Sequence, residues 1–490
     1  MERPEATPSL LLLAISFLCT IKWPQIQTAA ATSQELLKGF TATPEPSTSS
    51  FQPLLTDPTG NYSMGFLRVN RTQLALSVLH VPSAEPLWQA DMARLARWSE
   101  STHFFFNGSL VISDPRTKVF WSTGTNGDRI LLLNTSNLQI QKLDKSPTVI
   151  WQSFHFPTNT LVENQNFTVN MSLVSSNGLY SMRLGEDFIG LYENFKENPD
   201  QIYWKHGALE AKAEIVKGQG PIYIRLDSGG FLGMYQIGST PVDVEAFYSF
   251  QHPIAGFRLL RLEPDGNLKG YYWTGSNWVL DYQAIKDQCE LPGSCGSYGL
   301  CRPGSGCSCI DNSTEYNSEK ECLPPETGNL CSDIEGENKF RVLRRKGIEL
   351  PYKELMGYET TSSLEQCERS CENNCSCWGS VYNNASGFCY RVDYPIRTLL
   401  GVGDDTKVGY FKVREGPQKK AESGFGFVIG LLGATVLAFG GVVGFGVYKV
   451  WRRKGAKGVS EEAGGVNPGP YKTLGAASFR SIEMTLRDDI

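Results

Sequence analysis

Twenty-six consecutive uncharged residues, Ser423 to Tyr448, lie near the end of this 490-residue chain. As a helix they would extend about 39 Å, against a bilayer hydrocarbon core of about 30 Å. Glu422 precedes the run, and Lys449, Arg452, Arg453, Lys454 and Lys457 come after it. An excess of cations on one flank marks the cytosolic side. The sequence therefore predicts a transmembrane helix over 424–448, a cytoplasmic tail over 449–490 and an N-terminus outside the plasma membrane. A buried core helix is the competing reading, and the length and the basic stop disfavour it.

The N-terminus carries the matching signal. Arg3 precedes the apolar run Leu10–Leu18, and Ala29, Ala30 and Ala31 offer a small-residue cleavage site. This predicts a signal peptide over 1–31 and a single-pass type I protein. The formal net charge of −5 implies no nucleic-acid partner.

Cysteine usage supports the same compartment. Of thirteen cysteines, Cys19 falls in the signal segment, and the other twelve lie between Cys289 and Cys389. An even, clustered set on the lumenal side reads as a disulfide framework. Zinc is the rival for Cys307-x-Cys309 and Cys375-x-Cys377, but no histidine lies close by, and no metal or cofactor is expected. N-x-S/T sequons begin at Asn61, Asn70, Asn107, Asn134, Asn166, Asn170, Asn312, Asn374 and Asn384. All precede the expected span, as a glycosylated exterior requires.

Between 41 and 280 there is no cysteine and little helical periodicity. Short alternating runs dominate, among them Leu74–Val81, Ser109–Ser113, Lys118–Trp121, Ile130–Leu133, Leu138–Leu143, Ile222–Leu226 and Phe257–Leu262. Such strands with frequent turn residues predict an all-β barrel or prism. Asp91–Arg97 is the one stretch there with a helical pattern. Turns recur at Asn107-Gly-Ser, Asn134-Thr-Ser-Asn and Asp265-Gly-Asn, each leading into a strand.

"VIWQSFHFPTNTLV" (Val149–Val162) resembles the segment that ends the bulb-type lectin domain of plant S-locus-glycoprotein-like receptors, the G-type lectin receptor family. "SDPRTKVFWSTGT", "FRLLRLEPDGNLKGYYW" and "CELPGSCGSYGLC" fit the same family. The resemblance extends over nearly all of residues 50–412. It implies a mostly β fold: bulb-lectin-like β-prism domains over 41–162 and 163–285, an EGF-like module over 286–325 and a PAN (apple-like) module over 331–412. Trp121 and Trp151 are expected in the prism core.

Active members of this family hold mannose with the pattern Q-x-D-x-N-x-V-x-Y. Residues two apart on a strand face the same way, so three polar groups converge on vicinal hydroxyls. One register here reads Leu133, Thr135, Asn137, Gln139 and Gln141, and a second reads Phe105, Asn107, Ser109, Val111 and Ser113. Both lack the carboxylate, and neither is expected to bind mannose. The third reads Glu263, Asp265, Asn267, Lys269 and Tyr271. Glu263, Asp265, Asn267 and Tyr271 are therefore the candidate ligand-binding residues. The competing reading is an Asp-Gly hairpin whose polar groups face water.

Cys289, Cys295, Cys301, Cys307, Cys309 and Cys322 have C-x5-C-x5-C-x5-C-x-C spacing, and six cysteines allow fifteen connectivities. The resemblance implies pairs 289–301, 295–307 and 309–322. For the remaining six it implies Cys367–Cys389, Cys371–Cys377 and Cys331–Cys375. Ser362-x-x-Glu365 predicts a capping box opening a short helix, with Cys367 and Cys371 on one face.

Arg452–Ile490 contains no HRD or DFG. The five histidines, His80, His103, His155, His206 and His252, have no triad-like or metal-ligand context. No enzyme is expected. The span contains the small-residue pairs Gly426/Gly430 and Gly440/Gly444, which let helices approach closely. The expected function is a receptor-like surface glycoprotein without a kinase. It would bind a protein or glycan ligand and act as a homo-oligomer, or as a hetero-oligomer with a receptor kinase. The alternative is a bilayer-anchored adhesion lectin with no signalling role.

Overall fold

Leu138–Leu143 reads LQIQKL and Tyr180–Leu184 reads YSMRL, with Leu138, Ile140, Tyr180, Met182 and Leu184 buried. A period of two sends every second side chain into a core, and this pattern builds most of the molecule. A computed structural model describes residues 34–90, 95–116, 119–196, 198–208, 220–252, 254, 256–311, 322, 330–331, 340–414 and 444–449. Met1–Glu415 form one compact unit, and Gly416–Ile490 form another.

In the first unit, three antiparallel sheets surround the first core. They are built around Tyr62–Arg68 with Gln73–His80, His103–Phe106 with Leu110–Asp114, and Arg129–Leu132 with Leu138–Leu143. Phe66, Phe104, Phe106, Leu110, Ile130 and Ile140 are wholly buried there. Three further sheets repeat the arrangement around Met182, Leu191, Ile224, Leu232, Leu260 and Leu268.

Short strands lace each prism together, and they move the boundaries expected from sequence. Glu35–Leu37 pairs with Arg129–Leu132, so the first prism begins before residue 41. Thr160–Val162 pairs with Arg258–Leu262 and belongs to a sheet of the second prism, not the first. Asn166–Phe167 and Leu173–Val174 then join the other two sheets of that prism. Strands of two or three residues carry no readable alternation, which is why sequence places the boundary too late.

Two further expectations are corrected. Ala96–Arg97 is a strand paired with Gln73–Leu74, and not the end of a helix; 91–94 lie outside the described residues. The helix is Leu364–Glu372, capped by Ser363 rather than Ser362. The Ser363 hydroxyl accepts from the Gln366 amide at 3.3 Å, and Gln366 Oε1 accepts from the Ser362 amide at 3.0 Å. Ser363 has the extended backbone that a cap requires, and Gln366 replaces Glu365 as the returning side chain.

The prisms meet through aromatic rings. His80 of the first stacks on Phe257 of the second at 5.2 Å and lies 5.9 Å from both Trp273 and Trp278. It is 4% exposed, and its Nδ1 lies 2.8 Å from Ser83 Oγ. Burial lowers its pKa below the usual histidine value. The unfolded chain therefore takes up this proton first, and stability falls as pH drops below about 6.5. We expect denaturation near pH 6 to take up more protons in the native chain than in His80→Phe, by a fraction of one proton.

The second prism shares a continuous core with the cysteine-rich segment and with the strands between Phe340 and Arg414. Gly299–Arg302 pairs with Gly306–Cys309 and also runs parallel to Leu399–Gly401. The two expected modules therefore share a sheet. A second sheet, ordered Phe340–Lys346, Lys407–Arg414, Gly379–Asn383, Phe388–Val392, Glu359–Thr360, carries the helix. Lys412 is buried and donates to the carbonyls of Cys371 (2.9 Å) and Asn374 (3.0 Å), where a helix C-terminus attracts a cation.

The signal segment over 1–31, the tail from 450 and most of the expected span over 424–448 lie outside the described residues. Residues 444–449 are helical. Among the described residues, no helix is long and apolar enough to cross a membrane.

Candidate functional site

The three pseudo-repeated registers each spend polar side chains on hydrogen bonds within the fold. Asn137 is buried, and its Nδ2 donates to Gln152 Oε1 at 2.7 Å. Gln139 also donates to Gln152, Gln141 donates to Gln139, and Arg129 donates to Gln141 from two nitrogens. The places of the pocket Val and Tyr are thus taken by amides bound to one another. At the second register Ser109 Oγ donates to the Thr125 carbonyl (2.6 Å) and accepts from its amide (2.7 Å).

At the third register, Asn267 is 3% exposed and clasps Ile285. Its Nδ2 donates to the Ile285 carbonyl at 2.7 Å, and its Oδ1 accepts from the Ile285 amide at 3.1 Å. Asp265 accepts from the Asn267 amide (2.8 Å) and from Lys269 Nζ (2.8 Å). Tyr271 Oη donates to Glu263 Oε1 at 2.8 Å, and burial, with the Glu263 carboxylate beside it, raises the phenol pKa so that it stays protonated. Asp265, Asn267 and Lys269 line a cleft of about 570 Å³ with Gln283, Lys286 and Arg397. Glu263 and Tyr271 are not among its lining residues, and Tyr271 packs against the core of the first prism. The candidate set is divided between two places: Tyr271 is bonded to Glu263, and Asn267 and Asp265 are bonded to Ile285 and Lys269.

The twelve cysteines form six disulfides: Cys289–Cys301, Cys295–Cys307, Cys309–Cys322, Cys331–Cys375, Cys367–Cys389 and Cys371–Cys377. The Sγ atoms of Cys295, Cys301 and Cys307 lie within 4.8 Å of one another, but each belongs to a disulfide, so none is a free thiolate for a metal. Among the sequon asparagines, Asn61, Asn70, Asn107, Asn134, Asn166, Asn170 and Asn384 are exposed and Asn374 is half-buried. Asn312 lies outside the described residues.

A second cleft, of about 600 Å³, went unread in the sequence. Trp88, Trp121, Trp151 and Phe156 line it with Gln89, Ser122, Thr123 and the turn Ser175–Gly178. Trp151 is core, as expected, at 8% exposed, whereas Trp121 is only partly buried and faces this space. Residues drawn from between 88 and 178 converge here from both prisms, and no local spacing reveals that.

Three family profiles match: D-mannose binding lectin over 87–183, S-locus glycoprotein domain over 234–314 and PAN domain over 345–406. A PAN domain-containing protein of Arabidopsis thaliana is 54% identical over 485 residues, covering 98% of each chain. A G-type lectin S-receptor-like serine/threonine-protein kinase of the same plant is 26% identical, over 70% of this chain but only 42% of the kinase. An EP1-like glycoprotein is 25% identical over 68% of this chain and 79% of its own length. Among solved structures, the two-domain Scilla campanulata agglutinin aligns at 16% identity over 52% of this chain and 96% of its own, with a TM-score of 0.20, too low to carry an argument. The chain belongs to the family of plant PAN domain-containing proteins in which D-mannose binding lectin and S-locus glycoprotein domains precede the PAN domain.

Proposed function

We propose that this protein is a receptor-like recognition glycoprotein of the plasma membrane, with its β-rich head outside and no catalytic role. In this reading it binds an extracellular glycan or protein and acts by lateral association with a partner such as a receptor kinase. The observation that carries the reading is the fusion of the second prism, the cysteine-rich segment and the PAN domain around one core. Such a body suits the presentation of a fixed surface. The cysteine-rich segment is read as an EGF-like spacer, the six bridges as the oxidised state of a secreted protein, and the sequons as glycan acceptors. The Gly426/Gly430 and Gly440/Gly444 pairs are read as helix-contact faces within the expected span.

Mannose held by the inherited pattern is not the ligand in this reading, because those registers are spent on internal hydrogen bonds. The alternative, a bilayer-anchored adhesion lectin, is favoured by the second cleft. It requires sugar binding and a dispensable tail.

Proximity labelling in living cells, from a biotin ligase fused after Ile490, tests the leading reading. Enrichment of membrane kinases over a membrane-anchored control is expected. Recovery of no signalling partner, with full function after removal of 455–490, would favour the adhesion reading.

A further inference from the structure

The aromatic cleft between the prisms has the chemistry of a ligand site. Trp88 and Trp151 stand edge to face at 5.8 Å, and Trp88 and Trp121 are 6.1 Å apart. Phe156 stacks on Trp151 at 5.8 Å with planes 9° apart, yet 56% of it is exposed. A large apolar ring left in water beside an indole cluster is a cost that a bound ligand can recover.

The walls are fixed in advance. Trp88 Nε1 donates to the Phe156 carbonyl at 2.8 Å, tying the link between prisms to the first of them. Asn177 Oδ1 accepts from Ser175 Oγ and the Leu179 amide, and its Nδ2 donates to the Pro264 carbonyl at 2.8 Å. These bonds hold the opposing turn in place without spending the aromatic faces. A preformed cleft of this size is in the range of small-ligand sites.

The lining decides the ligand class. Among the described residues it contains no Asp, Glu, Lys or Arg, so an ionic ligand would lose its hydration with no charge among them to replace it. Beside Ser175 and Asn177, which hold the turn, its polar groups include the uncharged Gln89, Ser122, Thr123, Thr158 and Ser176. Ser122 Oγ accepts from the Gly124 amide at 3.2 Å, which leaves its proton to donate. Aromatic faces are negative at the ring and attract weakly positive C–H groups. A pyranose presents such C–H groups on one face and hydroxyls around its edge. We propose that this cleft, and not the inherited mannose registers, binds a neutral pyranose unit of a glycan, with Trp121 and Phe156 as stacking faces. This deepens the recognition reading and rests on it.

The test uses the full chain in lipid nanodiscs, free of sugar-headed detergent. Saturation-transfer NMR with irradiation confined to aromatic protons is recorded for cellotriose, xylotriose, mannotriose and trigalacturonate. We expect transfer to ring C–H protons of at least one neutral trisaccharide and none to the acidic one. Phe156→Ala and Trp121→Ala should each weaken that binding roughly tenfold, the loss of one stacking face, while Asp265→Ala leaves it unchanged. No aromatic transfer to any neutral probe in the native chain overturns the proposal without needing a variant. So does binding that Asp265→Ala abolishes, or a preference for trigalacturonate. The labelling experiment from the tail is independent of these results, so failure of the cleft and failure of the receptor reading are separately visible.

Discussion

Replacing Asp281 with alanine is expected to destabilise the second prism by about 3–5 kcal/mol, the usual cost of stranding one member of a buried ion pair. Arg258 and Asp281 are 1% and 2% exposed at the side chain, with Nη1 to Oδ2 at 2.5 Å. Asp281 also accepts from the Ser249 amide at 2.8 Å, and Arg258 Nε donates to the Ser228 carbonyl at 3.2 Å. Ser228 and Ser249 flank strands of a different sheet from Arg258 and Asp281, so this pair fastens two faces of the prism. Without the carboxylate the buried guanidinium loses its paired acceptor and is left with the Ser228 carbonyl and the nearby Glu163 charge. The double variant Arg258→Met with Asp281→Leu should recover much of the loss, because it removes both charges. Urea denaturation followed by tryptophan fluorescence measures each value. A single variant within about 1 kcal/mol of the native chain would show the pair to be dispensable.

Arg397→Ala is expected to cost about 3 kcal/mol and to loosen the junction between the second prism and the PAN domain. Arg397 Nε lies 2.6 Å from Glu193 Oε1, and Glu193 is 1% exposed. Nη1 also reaches Ser297 Oγ at 3.4 Å, so one side chain touches the prism and the cysteine-rich segment. Burial raises the Glu193 pKa, and Arg397 opposes that rise. Removing Arg397 raises it further. An acid whose folded pKa exceeds its unfolded value loses stability as pH rises through that window. The defect in Arg397→Ala should therefore be largest at pH 8 and shrink towards pH 5, with Arg397→Lys intermediate. Hydrogen exchange of 288–300 and 394–401 is the local readout, and unchanged protection there at pH 8 would contradict the assignment.

The long alternating strands were legible because packing on one face fixes a period of two in the sequence. Leu138–Leu143 appears with the bounds its pattern gives, and Arg258–Leu262 begins one residue later than expected. The lacing strands were not legible. Leu173–Val174 is set by hydrogen bonds to Tyr180–Leu184, and two residues hold no pattern. The carboxylate missing from two mannose registers was read directly. That Asn267 spends its amide on Ile285 was not, because the partner is 18 residues away, just past the strand Trp278–Gln283. The aromatic cleft is a tertiary feature. Trp88 and Asn177 are brought to one space only by the stacking of two prisms, and their neighbours in sequence give no sign of it.

Protease treatment of intact cells bearing the full chain with a C-terminal epitope tests the receptor reading most directly. The disulfide-linked head is expected to be cut away from the surface while a short membrane-protected fragment keeps the epitope. An intact full-length chain, under conditions that strip other surface glycoproteins, would contradict that reading.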